Sequence, residues 1–331
     1  MRKIAILGLG SCLPEAVLTN DDLSHRVETS DEWITTRTGI KQRHIAAPGE
    51  TNSELGAKAA RKAFSQAGME PESITHVLYA TCTGDFITPS TSCLLSDKLG
   101  ITGHFALDTN AACSGWLFSL VLAQGMLTAQ PDAKILLGAG EVLSSRMNWQ
   151  DRSTCVLFGD GASATILGTV ENSDCVVAVV VDVETASDGS LGPLLHFGGP
   201  SASGKPYSVG DTVGEDYFIS MNGRDIYKHA VRNMAAISKQ VLDRNGLTTD
   251  DVDILVPHQA NMRIIEAVGE RLGISTEKVY VNLPVTGNTS AASIPVALVD
   301  ALAEGRIKPG MRVLACTFGG GLTWGAVLLQ F

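Results

Sequence analysis

The sequence predicts an α/β protein written twice, as two similar units of buried strands covered by helices. Three observations lead there. Short apolar runs of the fully buried kind alternate with helical patterns along all 331 residues. Segments of the first half reappear in order in the second: Gly68-Met-Glu-Pro-Glu-Ser-Ile-Thr-His-Val-Leu78 is echoed by Gly246-Leu-Thr-Thr-Asp-Asp-Val-Asp-Ile-Leu-Val256, and Asp97–Thr102 by Glu270–Ser275. Late in each half comes a glycine-rich segment, Phe158-Gly-Asp-Gly and Phe318-Gly-Gly-Gly. The expected units are 1–172 and 173–331, and a chain this long buries roughly three quarters of its unfolded surface.

The elements follow in order. Ile4–Leu9 reads as a first buried strand. Arg2-Lys3 before it imitates a signal peptide, but the apolar stretch is short and runs into Pro14 without a cleavage site. Gly8-Leu-Gly10 lacks the third glycine of a dinucleotide fingerprint, because Leu13 stands there. Thr29-Ser-Asp-Glu32 reads as a capping box opening a helix that carries Trp33 and Ile34. Strands are expected at Val77–Thr81, Phe105–Thr109, Ile135–Gly138, Val176–Val183, Ile254–Val256, Val279–Leu283, Val313–Thr317 and Ala326–Gln330. After Asn261, Ile264, Ile265, Val268 and Leu272 share one helix face.

A net charge of −10 argues against a nucleic-acid partner. Seven scattered cysteines without a Cys-x-x-Cys pair read as reduced thiols of a cytoplasmic protein, with neither zinc site nor disulfide framework. No apolar run reaches the ~18 residues of a membrane span.

Three segments carry chemistry: Ala111-Ala-Cys113-Ser-Gly115, Val256-Pro-His258-Gln-Ala-Asn261 and Gly287-Asn288-Thr-Ser-Ala-Ala. Each lies where a strand runs out, the usual place for sites in α/β proteins. Cys113 precedes a long apolar helical pattern, so helix-terminal N–H groups should lower its pKa. Cys82 and Cys316 read as core. His258 follows Val-Pro and precedes a helix. Asn288 alone could be a turn residue, and Gly319-Gly-Gly321 could be a turn or an oxyanion hole. Thiol, imidazole and carboxamide also compose protease-like triads, so context must decide. A pseudo-twofold axis would bring the three to one cleft.

Those segments, with Thr29-Ser-Asp-Glu-Trp-Ile-Thr-Thr-Arg-Thr-Gly-Ile, Phe158-Gly-Asp-Gly-Ala and Phe-Gly-Gly-Gly-Leu-Thr-Trp324-Gly, resemble β-ketoacyl-acyl-carrier-protein synthase III from end to end. The resemblance implies the thiolase fold, a duplicated five-layer αβαβα sandwich, in a homodimer. It implies decarboxylative condensation of an acyl-CoA primer with malonyl-acyl-carrier protein, starting fatty-acid synthesis without metal or nicotinamide cofactor. A ketosynthase of specialised metabolism, or an acyltransferase of the same fold, is the alternative. Cys113 would be the nucleophile, His258 and Asn288 the enolate donors, and the N–H groups of Cys113 and Gly320 the oxyanion hole.

By the same resemblance, Trp33, Arg37, Arg152 and Asn261 would bind CoA, with Asn261 also orienting His258. Arg263 would help dock the carrier protein. Arg224, Lys228 and Arg232, spaced i, i+4, i+8, form a basic stripe suited to an acidic carrier or simply a solvated face. Thr88, Leu143 and Phe158 would line the acyl pocket. Thr88 replaces a bulky aromatic that often crosses the dimer interface, which predicts room for longer or branched primers. Ser187–Asp216 is longer than the family pattern, and Glu266 and Glu270 make the helix after Arg263 less basic.

Overall fold

Nine strands form one mixed sheet in the computed structural model, which describes residues 3–173, 175–198, 210–212 and 214–331. They are β1 (Ile4–Cys12), β2 (His76–Ala80), β3 (Phe105–Thr109), β4 (Ile135–Glu141), β5 (Gly161–Thr169), β6 (Ala178–Ser187), β7 (Ile254–Pro257), β8 (Arg312–Gly319) and β9 (Thr323–Gln330). Their spatial order is β7-β8-β9-β6-β1-β5-β4-β2-β3. On one side of the seam three parallel strands, β3, β2 and β4, continue into antiparallel β5 and β1; on the other, parallel β7 and β8 continue into antiparallel β9 and β6. The seam is the antiparallel pairing of β1 with β6 through Ile4–Val180, Ala5–Val179 and Ile6–Ala178. Part of the long 187–216 segment, residues 199–209 and 213, lies outside the described residues.

Seven helices of eight or more residues accompany the sheet, and all but the first build its layers: α1 (Asp31–Thr38), α2 (Asn52–Ala67), α3 (Thr91–Leu99), α4 (Gly115–Ala129), α5 (Gly223–Arg244), α6 (Met262–Leu272) and α7 (Ser293–Ala303). α4 touches β4, β2 and β5 as well as β6 and β9, while α7 touches β1, β5 and β7. Those two therefore lie between the two portions of the sheet. Trp116, Leu117, Leu120, Ile294 and Leu298 share a core there with strand residues from both portions. α2 and α3 cover the outer face of the first portion, and α5 and α6 that of the second. The result is helix, sheet, helix, sheet, helix.

Local chemistry explains the placements. α2 opens on a capping box of Thr51 with Glu54 and ends at Gly68 in the left-handed conformation. It lies so close to β1 that a Cβ on Gly8 or Gly10 would come within 2.3 Å of the Ala63 carbonyl or 2.2 Å of the Ala59 carbonyl. Close helix–strand packing, not a nucleotide, accounts for Gly8-Leu-Gly10.

Four expectations need correction. The cap of α1 is Ser30, whose hydroxyl accepts from the Trp33 N–H at 3.1 Å; Thr29 takes no part. β5 was not among the expected strands, because its small buried residues Gly161-Ala-Ser-Ala carry no β-branched signal. Val279–Leu283 is no strand. Val279 makes one parallel bridge to Leu255, after which the N–H groups of Asn282 and Leu283 turn to the Gln259 side chain at 3.1 and 3.2 Å. Finally, Ala112–Ala129 has a mean hydropathy of 1.4 over 18 residues, so it reaches spanning length and composition. It is the central helix, with strands on both sides.

Arg43 ties the Leu18–Asn20 segment to Val156. It is fully buried, and its guanidinium donates to the Leu18 carbonyl (3.1 Å), Asn20 Oδ1 (2.8 Å) and the Val156 carbonyl (2.7 Å). Burial pushes its pKa down to about 10, with no carboxylate in contact. Arg43→Met leaves three buried acceptors unpaired and is expected to cost about 3 kcal/mol, as breaking a buried polar network does. A urea titration reads this as a lower midpoint, and an unchanged midpoint would contradict it.

Candidate active site

A cavity of about 820 Å³ brings Cys113, His258 and Asn288 onto one lining, with Trp33, Arg37 and Arg152 also along it. A second cavity of about 590 Å³ also includes Cys113, together with Gly320, Leu143 and Phe158. The thiol therefore stands where two cavities meet.

The chain around each group is tightly determined. Ala112 adopts φ 46° and leads through one 3₁₀ turn into α4, placing Cys113 before the helix start. Thr317 on β8 donates to the Cys113 carbonyl at 3.0 Å, and Thr323 on β9 to the Ala111 carbonyl at 3.1 Å. The second half repeats this turn: Ser290 has φ 50° and leads through a 3₁₀ turn into α7. At the offset that relates Gly68 to Gly246, Asn110 pairs with Asn288 and Cys113 with Ala291. Both asparagine side chains cap alike, Asn110 to the Ala112 N–H at 3.5 Å and Asn288 to the Ser290 N–H at 2.9 Å. Cys113 and Asn288 are thus neighbours across the repeat, not equivalents within it.

His258 directly follows β7, its N–H bonded to the Cys316 carbonyl at 2.8 Å. Its ring is buried, and Nδ1 has no hydrogen-bond partner. Desolvation pushes its pKa down to about 4, so the imidazole is neutral at working pH. Asn288 is held by a backbone pair with Leu157 and Gly159 at 2.9 and 3.0 Å.

The thiol departs from expectation. Burial pushes the Cys113 pKa up to about 12; a hydrogen bond from Ser290 lowers it and the Glu141 charge raises it. Cavity walls thus oppose the helix N-terminus, and the resting group is a thiol.

Asn261 is the N-cap of α6. Its Oδ1 accepts from the Arg263 N–H at 2.9 Å and its Nδ2 donates to the Arg37 carbonyl at 3.1 Å, so it positions Arg37 and does not touch the His258 ring. The Arg263 guanidinium holds the Thr36 carbonyl at 3.0 Å on the same rim. The guanidinium carbons of Arg37 and Arg152 lie 4.6 and 4.8 Å from the Trp33 ring centre. Two cations beside an indole suit a phosphorylated aromatic base. Arg224 lines the first cavity; Lys228 is paired with Asp225 at 3.1 Å, and Arg232 bonds Asn233 and His229. Thr88 is exposed and outside both linings, whereas Ile87, one residue earlier, lines the second cavity.

Sequence reasoning missed two supporting residues, Gln259 and Glu141, and the packing role of Gly319. Gln259 is buried, takes the Ser293 hydroxyl on its N–H at 2.7 Å and donates to the Pro257 carbonyl at 2.7 Å, fixing the backbone on both sides of His258. Glu141 is buried below the thiol and accepts from Thr81 (3.1 Å), the Cys82 N–H (3.2 Å), Thr83 and Ser290 (3.4 Å). Gly319 backs onto the nucleophile turn, where a Cβ would sit 2.7 Å from the Cys113 nitrogen. Its place in Gly319-Gly-Gly321 was the available signal.

Comparison with known proteins agrees across the chain. Residues 107–189 match the family model of 3-oxoacyl-[acyl-carrier-protein] synthase III, and 242–331 that of its C-terminal part. The β-ketoacyl-[acyl-carrier-protein] synthase III of Nitratidesulfovibrio vulgaris strain DP4 is 58% identical over 324 residues, covering 98% of each chain. The crystal structure of 3-oxoacyl-[acyl-carrier-protein] synthase III from Aquifex aeolicus VF5 superposes with a TM-score of 0.90 at 42% identity, covering 99% of this chain and 100% of that one. The priming β-ketosynthase of the R1128 polyketide pathway superposes at 0.88 with 32% identity, covering 99% and 96%.

Proposed function

From a chain that belongs to the β-ketoacyl-[acyl-carrier-protein] synthase III family, and is thus a thiolase-fold condensing acyltransferase of fatty-acid synthesis, we propose the following division of labour. Cys113 attacks the carbonyl carbon of an acyl-CoA; the bond to the CoA sulfur breaks, and the thiol proton leaves with CoA. The N–H groups of Cys113 and Gly320 receive the oxyanion. Malonyl-acyl-carrier protein then enters the first cavity and loses CO₂, its electron pair passing to the thioester oxygen. His258 and Asn288 donate to that oxygen. Both are neutral, so they stabilise the charge without first surrendering a proton. The enolate carbon attacks the acyl-Cys113 carbonyl, the 3-ketoacyl product leaves, and the expelled Cys113 thiolate takes a proton from water to become the thiol again. Each step balances without metal or redox cofactor.

One observation supports this above the others: Cys113 is common to both cavities, and His258 and Asn288 border only the first. A primer can rest on one side while the extender is activated on the other. Trp33, Arg37 and Arg152 would grip the CoA nucleotide, with Asn261 holding Arg37 in place. Arg224 and Arg263 at the rim, continued by Lys228 and Arg232, would meet an acidic carrier protein. Leu143 and Phe158 would wall the primer, and Thr88 beside Ile87 would leave its mouth open to chains longer than acetyl.

We place the enzyme in the cytoplasm as a homodimer. All seven cysteines are free thiols. β3 is an edge strand, paired with β2 on one side only, whose Phe105 and Leu107 are exposed, with Phe86 and Ile87 nearby in sequence to Thr88; such an edge is normally covered.

The deciding experiment supplies an acyl-CoA and malonyl-acyl-carrier protein labelled in its free carboxyl. Equal amounts of labelled CO₂ and 3-ketoacyl-carrier protein are expected. Acyl transfer without CO₂ would establish the acyltransferase alternative instead. Gly319→Ala would push a methyl group into the Cys113 backbone, and an ångström of displacement costs on the order of 10²-fold in rate. The same assay with that variant should show this loss with an unchanged circular dichroism spectrum; wild-type rates would contradict the packing described.

A further inference from the structure

The second cavity contains a charge that a pocket for plain acyl chains has no use for. Arg146 lines it, on the same 3₁₀ turn as Leu143, three residues apart and so on one side of that turn. Its Nη1 is buried and has no hydrogen-bond partner. Among the described residues no carboxylate pairs with it, and no Asp or Glu lines the cavity. The guanidinium is held from one side only, 4.2 Å from the centre of the Tyr217 ring, while the Arg146 carbonyl accepts from the Ile219 N–H at 3.0 Å. Those contacts set its position and leave Nη1 without an acceptor. A guanidinium nitrogen buried without an acceptor is costly, and a planar carboxylate is the group whose geometry and charge match it. The cavity volume of about 590 Å³ accommodates a medium-length acyl chain between Cys113 and that guanidinium.

We propose that this enzyme accepts acyl-CoA primers ending in a carboxylate, with Arg146 binding the free carboxyl while Cys113 takes the thioester carbonyl. The inference rests on the assignment of Cys113 as the acyl carrier. The bond changes are those of acylation: the Cys113 sulfur bonds to the thioester carbon, the bond to CoA sulfur breaks, and the distal carboxylate is unchanged.

The test is competitive acylation of the whole protein with equimolar pairs, succinyl-CoA with butyryl-CoA and adipyl-CoA with hexanoyl-CoA, read by intact mass and by the Cys113 peptide. In at least one pair the carboxylated adduct should form at least tenfold faster. Arg146→Leu should lower that ratio at least tenfold, and Arg146→Lys, which keeps a point charge, should retain part of it. A ratio is read within one sample, so loss of folded protein does not imitate the effect. Faster acylation by the neutral partner in both pairs, or an unchanged ratio in Arg146→Leu, would overturn the proposal. Absence of any adduct on Cys113 from all four thioesters would remove the condensing reading itself, and this inference with it.

Discussion

Cys113→Ala should lose 3-ketoacyl product by at least about 10⁴-fold, the scale on which covalent catalysis fails when its nucleophile is removed. No acyl adduct should appear by mass spectrometry. CO₂ should still be released slowly from malonyl-acyl-carrier protein, because His258 and Asn288 border the first cavity independently of the sulfur. That separation is the informative part. A variant that stopped both product and CO₂ would mean the thiol shapes the extender site as well. Cys82, the other thiol on the second cavity, should not substitute, since its Sγ donates to the Glu141 carboxylate at 3.2 Å and it does not border the first cavity, where His258 and Asn288 stand.

The second large effect falls on the extender half-reaction. His258→Ala and Asn288→Ala should each slow CO₂ release by roughly 10²–10³-fold, as removing one oxyanion donor does. The double variant should lose less than the product of the two, because both donors serve one oxygen. Wild-type CO₂ release should show no inflection near pH 6.5, since His258 is neutral down to about pH 4. The same shift has a stability consequence. Its folded pKa lies below the unfolded value, so the folded state binds fewer protons between the two. The stability is full above about pH 6.5 and is lost as pH falls through about 4, by roughly 3 kcal/mol. Acid unfolding of His258→Ala should accordingly begin at lower pH. A kinetic break near 6.5 in the wild type would show the ring to be solvated.

Much of this was legible in the sequence because it is written in short-range pattern. Buried strands announce themselves as apolar runs, and the doubling shows in Gly68–Leu78 and Gly246–Val256. Cys113, His258 and Asn288 stand in small-residue segments at strand ends, where only function or a turn explains them. Illegible features depend on distant partners. Arg43, Glu141 and Gln259 are single polar residues without periodicity, and each finds its acceptors or donors only after folding. The Val279 segment has the composition of a strand, but the Gln259 side chain claims its amide groups. The raised Cys113 pKa also escaped, since burial is set by cavity walls from both halves.

The sharing of Cys113 between two cavities carries a kinetic consequence. If thioester donor and extender both come by way of the Trp33 side, the pantetheine arm of the first must withdraw before that of the second can enter. Traffic is then one-way and sequential, and spent CoA competes with the incoming carrier for a common doorway, whatever the primer left behind on the far side of the sulfur.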